Sequence, residues 1–299
     1  MAKNFNVISF SIVKKLKAVW QLMRLEHGFM LAIAIFIGSI IASKGLPPWD
    51  KLFFAFLTAL FLEAATFALN DYFDLEVDKK NKRTDRPLVR GDLKPMTAVL
   101  IYLIFLPIGI AASFMVNMTC FLIATINAGI ATLYDVKLKE IKIVGNFYIA
   151  FIMAIPFVFG GATISTSLPP IIIFIAFIAF LSGAAREIMK DVMDFTGDVE
   201  RKTKSFPLYF GKKGANVFAS FFYIAAIIMS FIPFMFNIDK AYYHDFVYLF
   251  LVCITDILLI YTSAIIIKST DVEALSKCRK ISLFAIFIGL IAFLAGAFA

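Results

Sequence analysis

Apolar residues run through this chain in long blocks rather than in alternating stripes. A helix needs about 20 mostly apolar residues to cross a hydrocarbon core of ~30 Å. Blocks of that kind stand at 28–43, 51–70, 96–115, 118–134, 144–164, 170–190, 214–236, 246–267 and 280–298. The pattern predicts an all-α membrane protein with about nine transmembrane helices in a bundle. Pro107, Pro156 and Pro233 fall inside spans, where neighbouring helices accommodate kinks. Ahead of the first block, residues 5–24 set Phe5, Ile8, Ile12, Leu16, Val19, Trp20 and Met23 against Lys14, Lys15 and Lys17. That segment reads as an amphipathic helix lying on the membrane surface. The chain is therefore expected to comprise an interfacial helix, 1–27, and a single transmembrane domain, 28–299. No cleavable signal peptide is expected, because 28–43 lacks a clear cleavage site and follows a long basic segment.

Composition and charge narrow this further. Of 299 residues 61% are apolar and only 17% are charged, more apolar surface than a soluble domain of this length can bury. Cys120, Cys253 and Cys278 are too scattered for a zinc site or a disulfide framework. With only His27 and His244 present, any metal here must prefer oxygen ligands. All of the 29 Lys and Arg except Lys44, Lys51 and Lys240 lie in the N-terminal segment, at the end of the sixth span, or in and beside the even-numbered loops. That asymmetry places the N-terminus and the even loops in the cytoplasm of a multi-pass cell-membrane protein. No nucleic-acid partner is expected, membrane lipid is, and the oligomeric state stays open.

Two segments carry chemistry. The end of the second span reads Asn70-Asp71-Tyr72-Phe73-Asp74-Leu75-Glu76-Val77-Asp78, and the end of the sixth reads Lys190-Asp191-Val192-Met193-Asp194-Phe195-Thr196-Gly197-Asp198. Each places aspartates at i, i+3 and i+7, one face of a helix. The segments are also related by a constant shift: Asp71, Asp74, Asp78, Lys82, Pro87, Leu88 and Gly91 match Asp191, Asp194, Asp198, Lys202, Pro207, Leu208 and Gly211, each pair 120 apart. We read an internal parallel repeat, helices 2–5 echoed by helices 6–9, around a central cavity, with both acidic rows on the cytoplasmic side. Unpaired carboxylates at such a place repel one another and are costly to bury. Mg²⁺ relieves that cost, being commonly shared between one or two carboxylates and substrate phosphates. Asp71, Asp74, Asp78, Asp191, Asp194 and Asp198 are thus candidate magnesium ligands around a diphosphate, with Asp74 and Asp194, central in each row, as catalytic candidates. Arg83, Arg86 and Arg90 follow the first row; Arg201, Lys202 and Lys204 follow the second, and Lys190 precedes it. Arginine grips phosphate oxygens through paired hydrogen bonds. Arg86 is the best placed, because Pro87 fixes the chain after it.

At these residues the chain resembles the UbiA-type intramembrane prenyltransferases. Their pattern Asn-Asp-x-x-Asp-x-x-x-Asp matches Asn70, Asp71, Asp74 and Asp78, and the second pattern matches Asp191, Asp194 and Asp198. The family also has a Tyr followed four positions later by Lys. Here Tyr134 is followed by Lys137 and Lys139, with Leu138 at the expected place, so either lysine is a candidate for the diphosphate. The resemblance implies Mg²⁺-dependent transfer of an isoprenyl chain from its diphosphate to a lipid-like acceptor; Asn70, Arg83, Arg86, Tyr134, Lys190 and Arg201 are the further candidates for the diphosphate side. Phe67, Tyr72, Phe73, Tyr148 and Phe151 are candidate walls for the allylic cation. By the same resemblance Arg24 and His27, just before the first span, lie near the acceptor. Glu63, Asn127 and Asn146 are polar groups within or at the ends of spans that suit the same pocket. Asp256 is alone in its span.

Within the family, the Ile/Lys/Phe-rich usage and compact loops are most similar to the archaeal digeranylgeranylglyceryl phosphate synthases. That branch implies geranylgeranyl diphosphate as donor and the free hydroxyl of geranylgeranylglyceryl phosphate as acceptor, in archaeal ether-lipid synthesis. An aromatic acceptor, 4-hydroxybenzoate or haem, is the alternative inside the family. A divalent-cation or anion transporter is the alternative outside it, and fits less well with aspartates gathered at one membrane face.

Overall fold

The computed structural model describes residues 2–25, 28–201 and 203–298, without the side chains of residues 2–12, Glu140, Glu200 and Arg201. Among the described residues every regular element is helical: α1 (Ala2–Met23), α2 (Gly28–Ser43), α3 (Trp49–Lys80), α4 (Pro95–Val116), α5 (Met118–Val136), α6 (Lys142–Ala162), α7 (Pro170–Met193), α8 (Phe195–Arg201), α9 (Phe206–Met235), α10 (Phe246–Lys268) and α11 (Val272–Ala297), with a 3-10 turn at Leu138–Glu140. Eight of these, α3 to α7 and α9 to α11, are long and apolar enough to cross a membrane; pairing the 16-residue α2 with the end of α1 as one bent span brings the number up to nine. The protein is an all-helical, multi-pass membrane protein, as the apolar blocks predict.

Helix ends are set locally. Asn117 ends α4 and starts α5 within one residue: its N–H bonds to Ser113, and its side chain accepts from the Cys120 N–H at 2.8 Å. Asp245 and Asp271 cap α10 and α11 in the same way. α9 begins at Phe206, ahead of the seventh predicted span at 214, and is kinked at Gly211, whose φ of 71° takes it out of the helix. Gly91, its partner at the shift of 120, has φ 75°. The Arg83 N–H bonds to the Asp78 carbonyl at 3.0 Å and the Thr203 N–H to the Asp198 carbonyl at 3.1 Å, again 120 apart. The segments behind the two acidic rows therefore share backbone features at the interval read from the sequence.

The chain forms two compact units. One comprises Met1–Ala32 and Trp49–Lys137; in it α1 packs on α3, and α3 on α4 and α5. Leu22 and Met23 of α1 are buried with Ala64, Ala68, Leu88, Ala98 and Ile101. The segment expected only to lie on the membrane surface thus ends by docking into this core. Its charged stretch, Lys14, Lys15 and Lys17, stays exposed.

The other unit comprises Ile33–Pro48 and Leu138–Ala299. Here α6 packs on α7, α7 on α9 and α11, and α10 on α9 and α11. Helices in lipid gain little from apolar burial against one another, so close approach and internal hydrogen bonds carry the packing. The α2–α6 contact shows both. A Cβ at Gly38 would meet the Phe157 carbonyl, and one at Gly160 would meet the Ile35 carbonyl. Across this contact the Ser39 hydroxyl donates to the Gly160 carbonyl at 3.0 Å and lies 3.1 Å from the Thr163 hydroxyl. Elsewhere in the unit Tyr242 donates to the Phe293 carbonyl and Tyr248 to the Ser230 carbonyl, each at 2.7 Å, tying α9, α10 and α11 together.

Gly160→Leu should lower the thermal midpoint of the purified protein, because a side chain there meets backbone; overpacking of this kind costs about 1–3 kcal/mol or more. Gly45→Ala, where nothing lies within 4 Å of the added carbon, should leave the midpoint unchanged. Equal midpoints for both would remove the close-approach account.

Candidate active site

The first acidic row rides on one continuous helix, α3. An α-helix drifts only ~20° per seven residues, so Asp71 and Asp78 stand almost directly in line, while Asp74, three residues on, is turned by roughly 60°. Burial follows that geometry. Asp71 and Asp78 are buried, and Asp74 is half-buried. Arg86 bridges the aligned pair, with Nη1 3.5 Å from Asp71 and Nε 3.8 Å from Asp78. Arg24 also pairs with Asp71, while its guanidinium lies 4.3 Å from the centre of the Phe67 ring. Asp71 Oδ2 is buried without a hydrogen-bond partner.

The loop after α3 holds Arg86 in place. Arg83 forms a two-pronged clasp with Asp85, both bonds 2.9 Å. Arg90 donates to Asp92 at 2.6 Å, to the Thr84 and Asp85 carbonyls at 3.0 and 2.8 Å, and to Gln21 of α1 at 2.6 Å. Lys14 adds a pair with Asp92 at 3.0 Å. Arg83 and Arg90 are thereby committed to folding the loop, and Pro87 and Leu88 within it are buried. The Arg83 fork holds the Asp85 carboxyl well below the usual range, at about 2. Asp92 is likewise held low, chiefly by Arg90 and Lys14.

The second row is built differently. α7 stops at Met193, Asp194 is its exposed end residue, and α8 carries Asp198. The expected single helix is thus interrupted at the central aspartate. Hydrogen bonds from the Asp194 N–H to Lys190 and from the Asp198 N–H to Asp194, both 3.1 Å, keep helical spacing across the break. Asp191 and Asp198 are buried, as their counterparts are. One cation bridges them too: Lys142 at the start of α6, 3.5 Å from Asp191 and 2.7 Å from Asp198. One turn later Asn146 donates to Asp191 at 2.7 Å. Asp198 Oδ2 is buried without a hydrogen-bond partner.

The other residues singled out from sequence fall as follows. Asn70 donates to Asp135 of α5 at 3.0 Å. Tyr134 is half-buried beside it in sequence; Lys137 is exposed at the end of α5, and Lys139 is half-buried in the 3-10 turn. Lys190 pairs with Glu187 at 3.0 Å. Glu63 lies near the start of α2, its Oε2 3.2 Å from where a side chain at Gly28 would begin. Asn127 has a buried Oδ1 with no hydrogen-bond partner. His27 and Lys202, with the side chain of Arg201, lie outside the described residues. Asp256 accepts from Ser230 at 2.8 Å beside a cavity of about 50 Å³, enough for a water or two and not for an isoprenoid.

Sequence reading missed Lys142, Asp135 and the buried Glu187. Lys142 was counted only among the basic loop residues, yet its spacing of four from Asn146 puts both on one face of α6. Nothing in the sequence says that this face meets Asp191.

The donor set suits magnesium. All six candidate ligands offer oxygen, and two carboxylate oxygens are buried with nothing bonded to them. Among the described residues no three Asp, Glu, His or Cys side chains gather into a metal cage. A hard cation that keeps water and completes its shell with phosphate oxygens fits such an incomplete set.

Fold and sites define a multi-pass helical membrane protein with two acidic rows, each neutralised by a bridging cation. Residues 31–288 match the UbiA prenyltransferase family, and the chain belongs to it. It is 42% identical over 96% of its length to digeranylgeranylglyceryl phosphate synthase of Archaeoglobus fulgidus, of which 98% is covered. It is 34% identical over 95% of its length to the enzyme of the same name from Methanocaldococcus jannaschii, again with 98% covered. A solved structure described as giving insights into digeranylgeranylglyceryl phosphate synthase in membranes superimposes with TM-score 0.78 at 33% identity, covering 95% of this chain and 99% of that one. A UbiA homologue from Archaeoglobus fulgidus solved with GPP and Mg²⁺ shares the fold, with TM-score 0.63 at 19% identity over 93% of this chain and 99% of that one.

The Arg83–Asp85 clasp sets a pH response. A carboxyl lowered to about 2 stabilises the fold fully above its unfolded value, near 4, and that contribution is lost as pH falls through about 2. Carboxyl titration followed by NMR on labelled protein should give Asp85 a midpoint near 2 that rises in Arg83→Gln. An ordinary midpoint in the parent protein would show that the clasp does not form.

Proposed function

We propose that this protein transfers the geranylgeranyl group of geranylgeranyl diphosphate to the free hydroxyl of geranylgeranylglyceryl phosphate, forming an ether bond and releasing diphosphate. The whole-length likeness to archaeal synthases of that name carries this reading. The acidic rows supply a chemical reason for it. The distribution of Lys and Arg supports a site on the cytoplasmic side of the cell membrane.

In this reading Asp71, Asp74, Asp78, Asp191, Asp194 and Asp198 hold magnesium. Bound there, magnesium supplies positive charge against the diphosphate as it departs. The protein's own cations do the rest of that work. Arg86, held over the first row by its stapled loop, offers a planar fork to phosphate oxygens. Lys137, Lys139, Lys190 and Arg201 add charge, with Tyr134 and Asn70 at the same end of their helices. Arg83 acts through the loop, since Asp85 already occupies its fork.

An alcohol is a weak nucleophile, so the reaction leans on ionisation of the donor, and the allylic carbon gains cationic character. Aromatic faces such as Phe67, Tyr72 and Phe73 stabilise that charge by roughly 0.5–2 kcal/mol each, and apolar walls keep water from capturing it. On the acceptor side, Arg24, His27, Glu63, Asn127 and Asn146 remain the candidates. Asn127 has the strongest case, because its buried Oδ1 has no hydrogen-bond partner and can accept from a hydroxyl. Asn146 acts indirectly, by orienting Asp191.

Purified protein given labelled geranylgeranyl diphosphate should alkylate geranylgeranylglyceryl phosphate and leave 4-hydroxybenzoate and haem B untouched; product with an aromatic acceptor alone would move the assignment to another branch. Asp74→Ala and Asp194→Ala should each abolish turnover with the fold intact by circular dichroism, and EDTA should do so reversibly. Full activity in either variant, or after thorough chelation, would remove the metal-site assignment.

A further inference from the structure

The second row is neutralised by a residue unlike the one on the first. Arg86 approaches its carboxylates loosely, at 3.5 and 3.8 Å. Lys142 is tighter, 2.7 Å from Asp198 and 3.5 Å from Asp191. A lysine ammonium is a compact point charge on a flexible four-carbon stem, whereas a guanidinium is a planar fork. Of the protein's cations, an ammonium shared by two carboxylates comes nearest to what a small metal ion would be in the same place.

The surroundings fix the base of this side chain and leave its head partly open to solvent. The Ile143 N–H bonds to the Lys204 carbonyl at 3.2 Å, tying the start of α6 to the strand of chain just beyond α8. Asn146 holds the other oxygen of Asp191 at 2.7 Å, so this carboxylate keeps its orientation without the lysine. Asp198 Oδ2 is buried and unbonded. The Lys142 side chain is 25% exposed, against 6% and 3% for the two carboxylates it joins, so it has a way out.

We infer that Lys142 is a resident counter-ion of the second row: it neutralises Asp191 and Asp198 while the site is empty of substrate, and it must leave before a divalent ion can bind there. The inference rests on the reading that this row holds magnesium against a diphosphate. Leaving is unfavourable when the displaced ammonium has no other anion to meet. It becomes favourable when a diphosphate arrives, because the lysine then exchanges a carboxylate pair for phosphate oxygens. Metal and diphosphate therefore promote one another's binding, by equal factors in either order. The resting protein holds little metal, and its buried carboxylates are never left unpaired.

The test uses full-length protein in detergent and Mn²⁺ in place of Mg²⁺, following free Mn²⁺ by electron paramagnetic resonance. Titrations are run with Mn²⁺ alone and with Mn²⁺ plus the non-ionising S-thiolo analogue of geranylgeranyl diphosphate. Lys142→Met should bind Mn²⁺ alone more tightly than the parent, by roughly tenfold or more, the scale on which one nearby opposite charge alters a carboxylate's affinity for a cation. The enhancement produced by the analogue should shrink in the same variant. Lys142→Arg, which keeps the charge, should resemble the parent. Should Lys142→Met fail to fold, Lys142→Gln, whose amide can still donate to Asp198, makes the same comparison. A charge-removing variant that binds Mn²⁺ alone no better than the parent, while the analogue still enhances binding in both, would overturn the inference and leave the metal reading standing. No Mn²⁺ binding in any protein, with or without analogue, would overturn both.

Discussion

A carboxylate taken out of water must be given a cation, and that requirement organises both acidic rows. Four aspartates, Asp71, Asp78, Asp191 and Asp198, are almost wholly buried. Each pair shares one bridging base, Arg86 or Lys142. The helical period explains why these pairs are the first and third members of each row, since seven residues return nearly to the same line. The same period turns Asp74 and Asp194 away from the bridge and toward more open surroundings. A reaction that delivers an anion with its metal to such a place exchanges partners among charges that are already balanced, with no carboxylate passing through an unpaired state.

Holding those bases still is the work of the neighbouring backbone. Behind the first row, a loop of alternating Arg and Asp closes on itself through Arg83–Asp85 and Arg90–Asp92 and is moored to α1 by Lys14 and Gln21. Behind the second, α6 brings Lys142 and Asn146 to the row on adjacent turns, and its packing on α7 keeps them there. Farther along, α6 passes α2 so closely that only glycine fits at positions 38 and 160. Small residues deep in the bundle and charged residues at its end thus serve the same helix in sequence.

The two segments behind the acidic rows share backbone form more closely than side-chain contacts. Gly91 and Gly211 share a left-handed conformation, and the turns after Asp78 and Asp198 close with equivalent hydrogen bonds. The counter-ions do not follow the repeat: Arg86 comes from the loop behind its own row, whereas Lys142 comes from the helix before the second row. Leu88 is buried and Leu208 is exposed. Backbone form persists because it depends on glycine and local hydrogen bonds; ion pairs diverge because any base within reach satisfies a buried acid.

Sequence by itself determined the class, the spans and the acidic rows, because these depend on local properties: runs of apolar residues long enough for a bilayer, and aspartates at the helical interval. It located the apolar stretches of α3 to α7 and α9 to α11, and it paired Gly91 with Gly211, which both take a positive φ. Tertiary structure alone decided which base meets which acid. Arg24, read as an acceptor residue, pairs with Asp71; Asn146, read in the same way, orients Asp191; Lys142, unremarked in the sequence, joins Asp191 to Asp198. It also decided that α1 ends in a core and that the second row breaks at Asp194. Such pairings connect residues tens of positions apart, and their energy depends on distances of a few ångströms that no local pattern encodes.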